Sequence, residues 1–276
     1  MIDLAIRLVA ADLDGTLVDS RRMVSAYTQK VVAKYAARGV IFVFCTGRVS
    51  NEIDYVMEAL PEVKYAVMAN GADGVSLPSR ARIFSNSLSM DTVRRIERTF
   101  AHTDHMLELM TADGVLSEAG KLGQLEHYGA EYLAEVIHRT RMPVGRILDV
   151  VETRTEPVDK VNIFFTSPEA RDALLAQAKA IDADMSHPEH TNIEFNARGV
   201  NKGSGLERLA GLLGVGREEI LALGDNNNDL PMLRCAGCSV AMCNGEPEAI
   251  EAADHVSDLD NDHDGAALMI ERLLGD

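Results

Sequence analysis

Two near-continuous apolar runs, "IRLVAAD" at 6–12 and "VIFVFCT" at 40–46, constrain the fold most strongly. A strand that is apolar on both faces must be covered on both, and that pattern belongs to parallel sheets flanked by helices. Between the runs, "SAYTQKVVAKYAARG" has the ends of a helix, from a Ser25 cap to a Gly39 stop. Ile53, Val56, Met57 and Leu60 follow at i, i+3, i+4, i+7 with Pro61 behind them, and "VKYAVMANG" is a third strand ending in a turn pair. The order is βαβαβ, the beginning of a doubly wound sheet. Near the other end of the chain the rhythm returns. Leu206, Leu209, Ala210 and Leu213 form one helical face stopped by Gly214. "EILALGD" and "CSVAMC" read as strands around the short helix "NDLPMLRCAG", and "EPEAIEAAD" and "GAALMIERLL" read as helices.

The middle is different. From about 82 to 195 the strands alternate in polarity, and "LELMTADGVLSE" has a hairpin signal at Asp113-Gly114. "KVNIFFTS" and "NIEFNA" are further strands, with helices expected near 89–101, 129–140 and 168–181. The expected organisation is a discontinuous α/β core, 1–82 and 196–276, with an α+β insert at 83–195. Hinges for an opening and closing insert fall near 80–86 and 194–201.

The net charge of −16, from 27 Lys+Arg against 43 Asp+Glu, excludes partners that need a basic face, namely nucleic acid and anionic membrane. No apolar run approaches the roughly 20 residues of a membrane span. The N-terminal stretch runs into a strand without the basic region of a signal peptide. Cys45, Cys235, Cys238 and Cys243 do not form a disulfide framework in a chain of this size, so a cytoplasmic protein is expected. Cys235-x-x-Cys238, with Cys243 beyond, has no second CxxC partner and reads as core thiols. His102-x-x-His105 and His187-x-x-His190 read as helix-face or loop histidines. "DLDNDHDG" at 258–265 lacks the spacing of an EF-hand and is expected to border the mouth of a site, with Asp264-Gly265 opening the last helix. Oligomeric state is not legible in these residues.

Doubly wound sheets bind ligands beyond the carboxyl ends of their strands. There the first strand carries Asp12-Leu13-Asp14-Gly15-Thr16, the second Thr46-Gly47-Arg48, the third Asn70-Gly71, and the late strand "GDNNND" from Gly224 to Asp229. "RGVNKGSG" places Lys202 just before a helix start. If the first strand continued, Asp12 and Asp14 would share a face, and like charges about 4 Å apart repel by roughly 4 kcal/mol at an intermediate dielectric. Asp12, Asp14 and Asp225 together are a hard oxygen set that suits Mg²⁺. Thr46, the amides around Gly47, and Lys202 suit a phosphate. A cation and a phosphate would balance the clustered carboxylates.

"DLDGTL", "TGR", a lysine at a helix start and "GDNNND", in this order, resemble the four motifs of the haloacid dehalogenase (HAD) superfamily. "NGA", the large insert and "VAMCNGEPEAIEAAD" followed by "NDHDG" resemble its Cof-type subfamily, IIB phosphatases with a C2B cap. The resemblance implies a Rossmann-like core and phosphoryl transfer through a phosphoaspartate. Asp12 would be the nucleophile and Asp14 the general acid and then base. Mg²⁺ would be held by Asp12, the Asp14 main-chain carbonyl and Asp225. Thr46 and Lys202 would orient the transferring group, with Gly47, Arg48, Asn70 and Gly71 on the substrate side. Asn228 would reach the phosphate or the cap side, and Asp229 would hold Lys202 or a metal-bound water. The implied substrate is a small phosphorylated metabolite such as a sugar phosphate. A phosphomannomutase-type mutase and a non-catalytic binding protein of the same fold are the alternatives.

Overall fold

The computed structural model describes residues 6–77, 79–186 and 191–275. The pair His187 and His190 lies outside them. Numbered along the chain, the strands are β1 (Leu8–Ala11), β2 (Ile41–Cys45), β3 (Tyr65–Met68), β4 (Asp73–Ser76) and β5 (Ala81–Ser85). Then come β6 (His105–Thr111), β7 (Gly114–Glu118), β8 (Arg141–Val144), β9 (Lys160–Phe165), β10 (Asp184–Ser186) and β11 (Asn192–Asn196). The last are β12 (Ile220–Gly224), β13 (Cys238–Ala241) and β14 (His255–Val256). The chain divides into two compact units. One comprises Met1–Arg48, Ile53–Phe84 and Asn201–Asp276; the other comprises Val49–Glu52 and Ser85–Val200.

The first unit is built on a sheet of order β14-β13-β12-β1-β2-β3-β4-β5, parallel from β14 through β3. Strand alternation divides its apolar residues between two layers. Val9, Ala11, Phe42, Phe44, Leu221 and Leu223 pack with the helices Ala26–Ala36 and Gly265–Leu274. Leu8, Ala10, Val43, Cys45, Ile220 and Ala222 pack with the helices Lys202–Leu213 and Leu230–Cys235. This is why the strands read as apolar runs rather than alternating ones. Full burial of each Leu or Val contributes about 1.5–3 kcal/mol. Ser25 caps its helix by accepting the Thr28 N–H, and Asn201 does the same for Ser204 N–H.

Beyond β3 the sheet departs from the parallel pattern. The chain turns at Ala69–Gly71, and β4 runs back antiparallel to β3. Ala69 and Asn70 both take positive φ, 49° and 57°. Asn tolerates this left-handed region better than most residues; Ala does not. Neither β4 ("DGVS") nor β5 ("ARIFS") carries an apolar run, so composition does not announce them. Gly74 is required in β4 because a Cβ there would lie 2.2 Å from the Phe84 ring.

The second unit has a sheet of order β10-β11-β9-β6-β7-β8, antiparallel except for the β7–β8 pair. Leu107, Leu109, Val161, Ile163, Phe165 and Phe195 of one face pack with Val93, Ile96 and Phe100 of the helix Met90–Phe100. Phe100 meets Phe165 edge-on, with ring centroids 5.7 Å apart. The other face carries Glu108, Lys160, Asn162, Asn192 and Glu194, all buried. Such groups persist in the interior only when paired. Lys160 Nζ lies 2.5 Å from Glu194 Oε1, and Arg141 grips Glu108 through Nε at 2.7 Å and Nη2 at 2.9 Å. Arg141 also donates to Glu52 of the Val49–Glu52 segment.

Two expected helices are shorter than the periodicity suggests. The 168–181 stretch splits into Pro168–Asp172 and Leu175–Lys179, because Leu174 N–H bonds to Arg171 O and tightens the turn between them. The 129–140 stretch is helical only over Ala134–Thr140, behind Gly129 at φ 60° and a short 3₁₀ turn at Glu131–Leu133. His105 is a buried strand residue rather than a helix-face or loop one, tilted against Phe165. Cys45 and Cys238 are buried, but Cys243 is exposed, so the expectation of core thiols fails there. Among the described residues no helix is long and apolar enough to cross a membrane.

Burial, reinforced by the Lys121 cation, holds the His105 imidazole down at about 4. The unfolded chain therefore binds a proton between about 4 and 6.5 that the folded chain does not, and stability falls as pH drops through that window. Urea unfolding at pH 6.5 and pH 4.5 should show wild type losing about 2 kcal/mol more than His105→Phe. Identical pH dependence in the two proteins would refute this account.

Candidate active site

The parallel register brings the carboxyl ends of β12, β1, β2 and β3 to one edge of the first unit. Asp12 N–H continues the β1 ladder onto Leu223 O at 3.0 Å, Thr46 N–H bonds to Val67 O at 2.9 Å, and Asn70 N–H bonds to Thr46 O at 3.1 Å. Residues just past each strand end thus become neighbours without any long side-chain reach.

At the centre lies Lys202, 1% exposed, on the first turn of the helix Lys202–Leu213. Its Nζ sits 2.9 Å from Asp12 Oδ1 and 2.6 Å from Asp229 Oδ1. Burial alone would lower the lysine pKa, but Asp12 and then Asp229 more than offset it and raise it. The ammonium is therefore a fixed positive charge. Asp12 is buried as well, and burial raises its carboxyl well above the usual range against the opposing pull of Lys202, with Asp229 and Asp225 adding repulsion. Asp225 is pushed up to about 7, by burial first and Asp229 second.

Ligand oxygens of Asp12, Asp225 and Asp229 lie within 4.8 Å of one another. Their roles differ. Asp229 is saturated: Oδ1 accepts from Lys202, and Oδ2 accepts the amides of Asp225 and Asn226, both at 3.0 Å. It orders the loop and the lysine rather than offering a free oxygen. Asp225 accepts from Thr16 Oγ1 at 3.0 Å, and the oxygens of Asp12 and Asp225 are the pair that fits a divalent cation. An all-oxygen, carboxylate-rich set, in which Asp12 and Asp225 are raised by burial first and by neighbouring carboxylates after it, is the donor chemistry Mg²⁺ accepts.

The turn after Asp12 is shaped by Gly15, at φ 73°. A Cβ there would approach Asp225 Oδ2 to 2.4 Å. Because β1 ends at Ala11, Asp12 and Asp14 do not share a face as a continued strand would require. Asp12 turns inward to Lys202. The Asp14 side chain is 55% exposed and forms a bidentate pair with Arg48, to Nη2 at 2.5 Å and Nε at 2.8 Å. Arg48 also donates to Tyr55 Oη at 2.7 Å, a partner with no signal in the sequence. The strand-end repulsion is thus relieved by divergence, with a cation on each side.

Thr46 is 1% exposed, and its Oγ1 accepts the Arg48 N–H at 3.1 Å, which directs its own proton elsewhere. Gly47 lies between these two residues. Asn228 Nδ2 donates to Asn70 Oδ1 at 3.3 Å, while Asn228 Oδ1 is buried with no partner among the described residues. An unpaired buried acceptor costs about 1–3 kcal/mol, so this oxygen is open to a ligand's donor rather than to a phosphate oxygen. Gly71, at φ 100°, presses so close to Asn201 O that a Cβ would lie 2.0 Å away. That contact ties the Asn70 turn to the helix carrying Lys202.

A family model for haloacid dehalogenase-like hydrolases matches residues 9–270. The chain belongs to this family. It is an enzyme of the phosphatase type. A Bacillus subtilis protein named 5-amino-6-(5-phospho-D-ribitylamino)uracil phosphatase YcsE is 27% identical over 275 residues, covering 99% of this chain and 97% of that one. The solved structure of a haloacid dehalogenase-like hydrolase from B. subtilis superposes with a TM-score of 0.85 at 26% identity, covering 98% of this chain and 100% of that one. The structure of a HAD subclass IIB sugar phosphatase shares the fold, with a TM-score of 0.82 at 17% identity over 96% and 98% of the two chains.

Lys202→Met keeps most of the stem but leaves Asp12 and Asp229 buried without a cation. Breaking a buried pair in this way costs about 3–5 kcal/mol, and metal-free urea denaturation at pH 7.5 should show that loss. A variant as stable as wild type would mean that the carboxylates do not depend on the lysine.

Proposed function

We propose that the chain is a Mg²⁺-dependent phosphatase of small phosphate monoesters, sugar phosphates or related metabolites, working in the cytoplasm through a phosphoaspartate on Asp12. The observation that carries this reading is the arrangement of Asp12. Its buried carboxylate is fixed at 2.9 Å by a permanently charged lysine and sits among oxygens suited to a divalent cation. When bound, Mg²⁺ would be held by Asp12, Asp225 and the Asp14 main-chain carbonyl, and would shield the charge of an anion attacked by another anion.

In the first half-reaction Asp12 attacks phosphorus and the ester P–O bond breaks. Asp14 gives its proton to the leaving oxygen. In the second, Asp14 takes a proton from water, the water oxygen attacks phosphorus, and the acyl-phosphate P–O bond breaks to release phosphate and regenerate Asp12. Lys202 and the Thr46 hydroxyl neutralise and orient the phosphoryl oxygens. The Gly47 amide is a further donor toward the same group, while Asn228, whose Nδ2 goes to Asn70 and whose open atom is the acceptor Oδ1, would meet a hydroxyl of the substrate. Asp14 must exchange Arg48 for the leaving oxygen, so the bidentate pair parts during turnover. Arg48, Asn70 and Gly71 then shape the substrate side. The relative named as acting on a phosphorylated ribityl compound supports a polyhydroxylated leaving group.

Phosphate release from a panel of sugar, polyol and nucleotide phosphates should depend on Mg²⁺ and be absent in Asp12→Asn. Asp14→Asn should be slow in both half-reactions, by about 10²–10⁴-fold. No release from a folded protein would overturn the reading; conversion of a sugar phosphate into its positional isomer, dependent on a bisphosphate sugar and without phosphate release, would favour a mutase.

A second outcome concerns the cation itself. At pH 8 the metal-free Asp225→Asn variant should melt above wild type, because a repelled carboxylate has been removed. It should also lose the upward shift in melting temperature that MgCl₂ gives the wild type. An undiminished shift would exclude Asp225 from the cation site.

A further inference from the structure

The run "DLDNDHDG" takes no part in the chemistry above, and its side chains instead reach back onto the turn that follows Asp12. Asn261 Nδ2 donates to Val18 O at 2.9 Å. Asn261 N–H donates to Asn244 Oδ1 at 3.2 Å, and Asn244 Nδ2 donates to Gly15 O at 2.9 Å. Asp262 Oδ1 accepts the Ser20 N–H at 2.6 Å. Asp264 Oδ1 accepts from Ser25 Oγ and, at 3.0 Å, from Thr28 Oγ1. Four residues late in the chain and ahead of the last helix, Asn244, Asn261, Asp262 and Asp264, thus hold backbone or side-chain groups over Gly15–Thr28.

The turn they hold is poorly secured by its own backbone. The amides of Thr16, Leu17 and Val18 all point at one acceptor, Leu13 O, at 3.3, 3.0 and 3.0 Å. Gly15 adds the conformational freedom of a residue at positive φ. This segment carries both Asp14 and Thr16, whose hydroxyl sets Asp225. Two of its carbonyls, at Gly15 and Val18, are taken by the side-chain amides of Asn244 and Asn261, and the two residues are linked by the Asn261 main-chain N–H donating to Asn244 Oδ1.

We propose that Asn244 and Asn261 act as one linked clamp, a pair of positioning residues that fixes the Asp14–Val18 turn and so aims Asp14 at the leaving oxygen. The catalytic part of this inference rests on the phosphatase reading; the mechanical part does not. The turn is bridged between Asp14 and Val18, so release of either carbonyl loosens the backbone that follows Asp14 and is tied to it by that bridge. Asp14 is mostly exposed and held only at its tip by Arg48, which leaves its aim to the backbone beneath it.

The test uses Asn244→Ala, Asn261→Ala, the double variant and Asn244→Asp in the full chain. Asn244→Asp keeps the acceptor for Asn261 N–H and loses the donor to Gly15 O. Amide hydrogen exchange by mass spectrometry should accelerate about tenfold in peptides covering residues 13–24, while peptides from the helix Lys202–Leu213 stay unchanged. With p-nitrophenyl phosphate and MgCl₂, kcat should fall about tenfold while KM stays within about twofold, since small misplacements act on chemistry before binding. The double variant should be no worse than either single, and Asn244→Asp should match Asn244→Ala. Unchanged exchange over 13–24 would overturn the clamp. Accelerated exchange with unchanged kcat, or losses that add in the double variant together with a rise in KM, would overturn the positioning role. If wild type turns over no phosphate ester, the phosphatase reading fails, and the exchange data alone still decide whether the clamp exists.

Discussion

Everything in the site depends on one buried cation. Lys202 lies between Asp12 and Asp229, and without it these carboxylates and Asp225 could not share the space they occupy. The lysine is fixed by position rather than by reach. It begins a helix whose N-terminus is closed by Asn201 and Ser204, and that helix packs through Leu206, Leu209 and Ala210 onto the sheet that carries Asp12. Packing of an apolar helix face thereby sets the location of a charge to a fraction of the distance over which its Coulomb energy changes. Asp229 completes the arrangement by giving both oxygens to the lysine and to its own loop, so it balances charge without competing for a ligand.

The same economy appears on the other side of Asp12. A strand ending in two aspartates one residue apart would be costly if both faced one way. Ending β1 at Ala11 and turning at Gly15 sends the second carboxylate outward, where Arg48 meets it. The inward aspartate gains its cation from a helix start and the outward one from the loop after β2, and the two chemical roles proposed for them follow from that separation. One carboxylate is desolvated and immobile, as a nucleophile must be; the other is accessible and exchangeable, as a proton carrier must be.

The framework was largely legible in the sequence because its signals are physical. Apolar runs in β1, β2 and β12 report burial on both faces, and Ser25, Gly39 and Gly214 mark helix ends whose geometry they make possible. The residues at strand ends could be gathered in advance because parallel strands have only one carboxyl edge. What escaped notice depended on contacts without a local pattern. The strands β4 and β5 are short and polar and form because β3 turns back through two positive-φ residues, Ala69 among them, which no propensity favours. The Arg48–Tyr55 bond and the Thr16–Asp225 bond join side chains that only the folded chain brings together. The helix expected over 168–181 forms in two pieces because the turn at Arg171–Leu174 is tightened, a feature with no signal in the sequence. Cys243 looked like its buried neighbours because the motif "CAGCSVAMC" runs past the end of β13.

Gly15 has a further consequence. Its missing side chain is what allows the Asp225 carboxylate to rest against the turn after Asp12, and its positive φ is what bends that turn. A change to any other residue would meet the acidic loop from the far part of the chain as well as straining its own backbone. A shift of either acidic motif is therefore felt by the other, despite their distance in sequence.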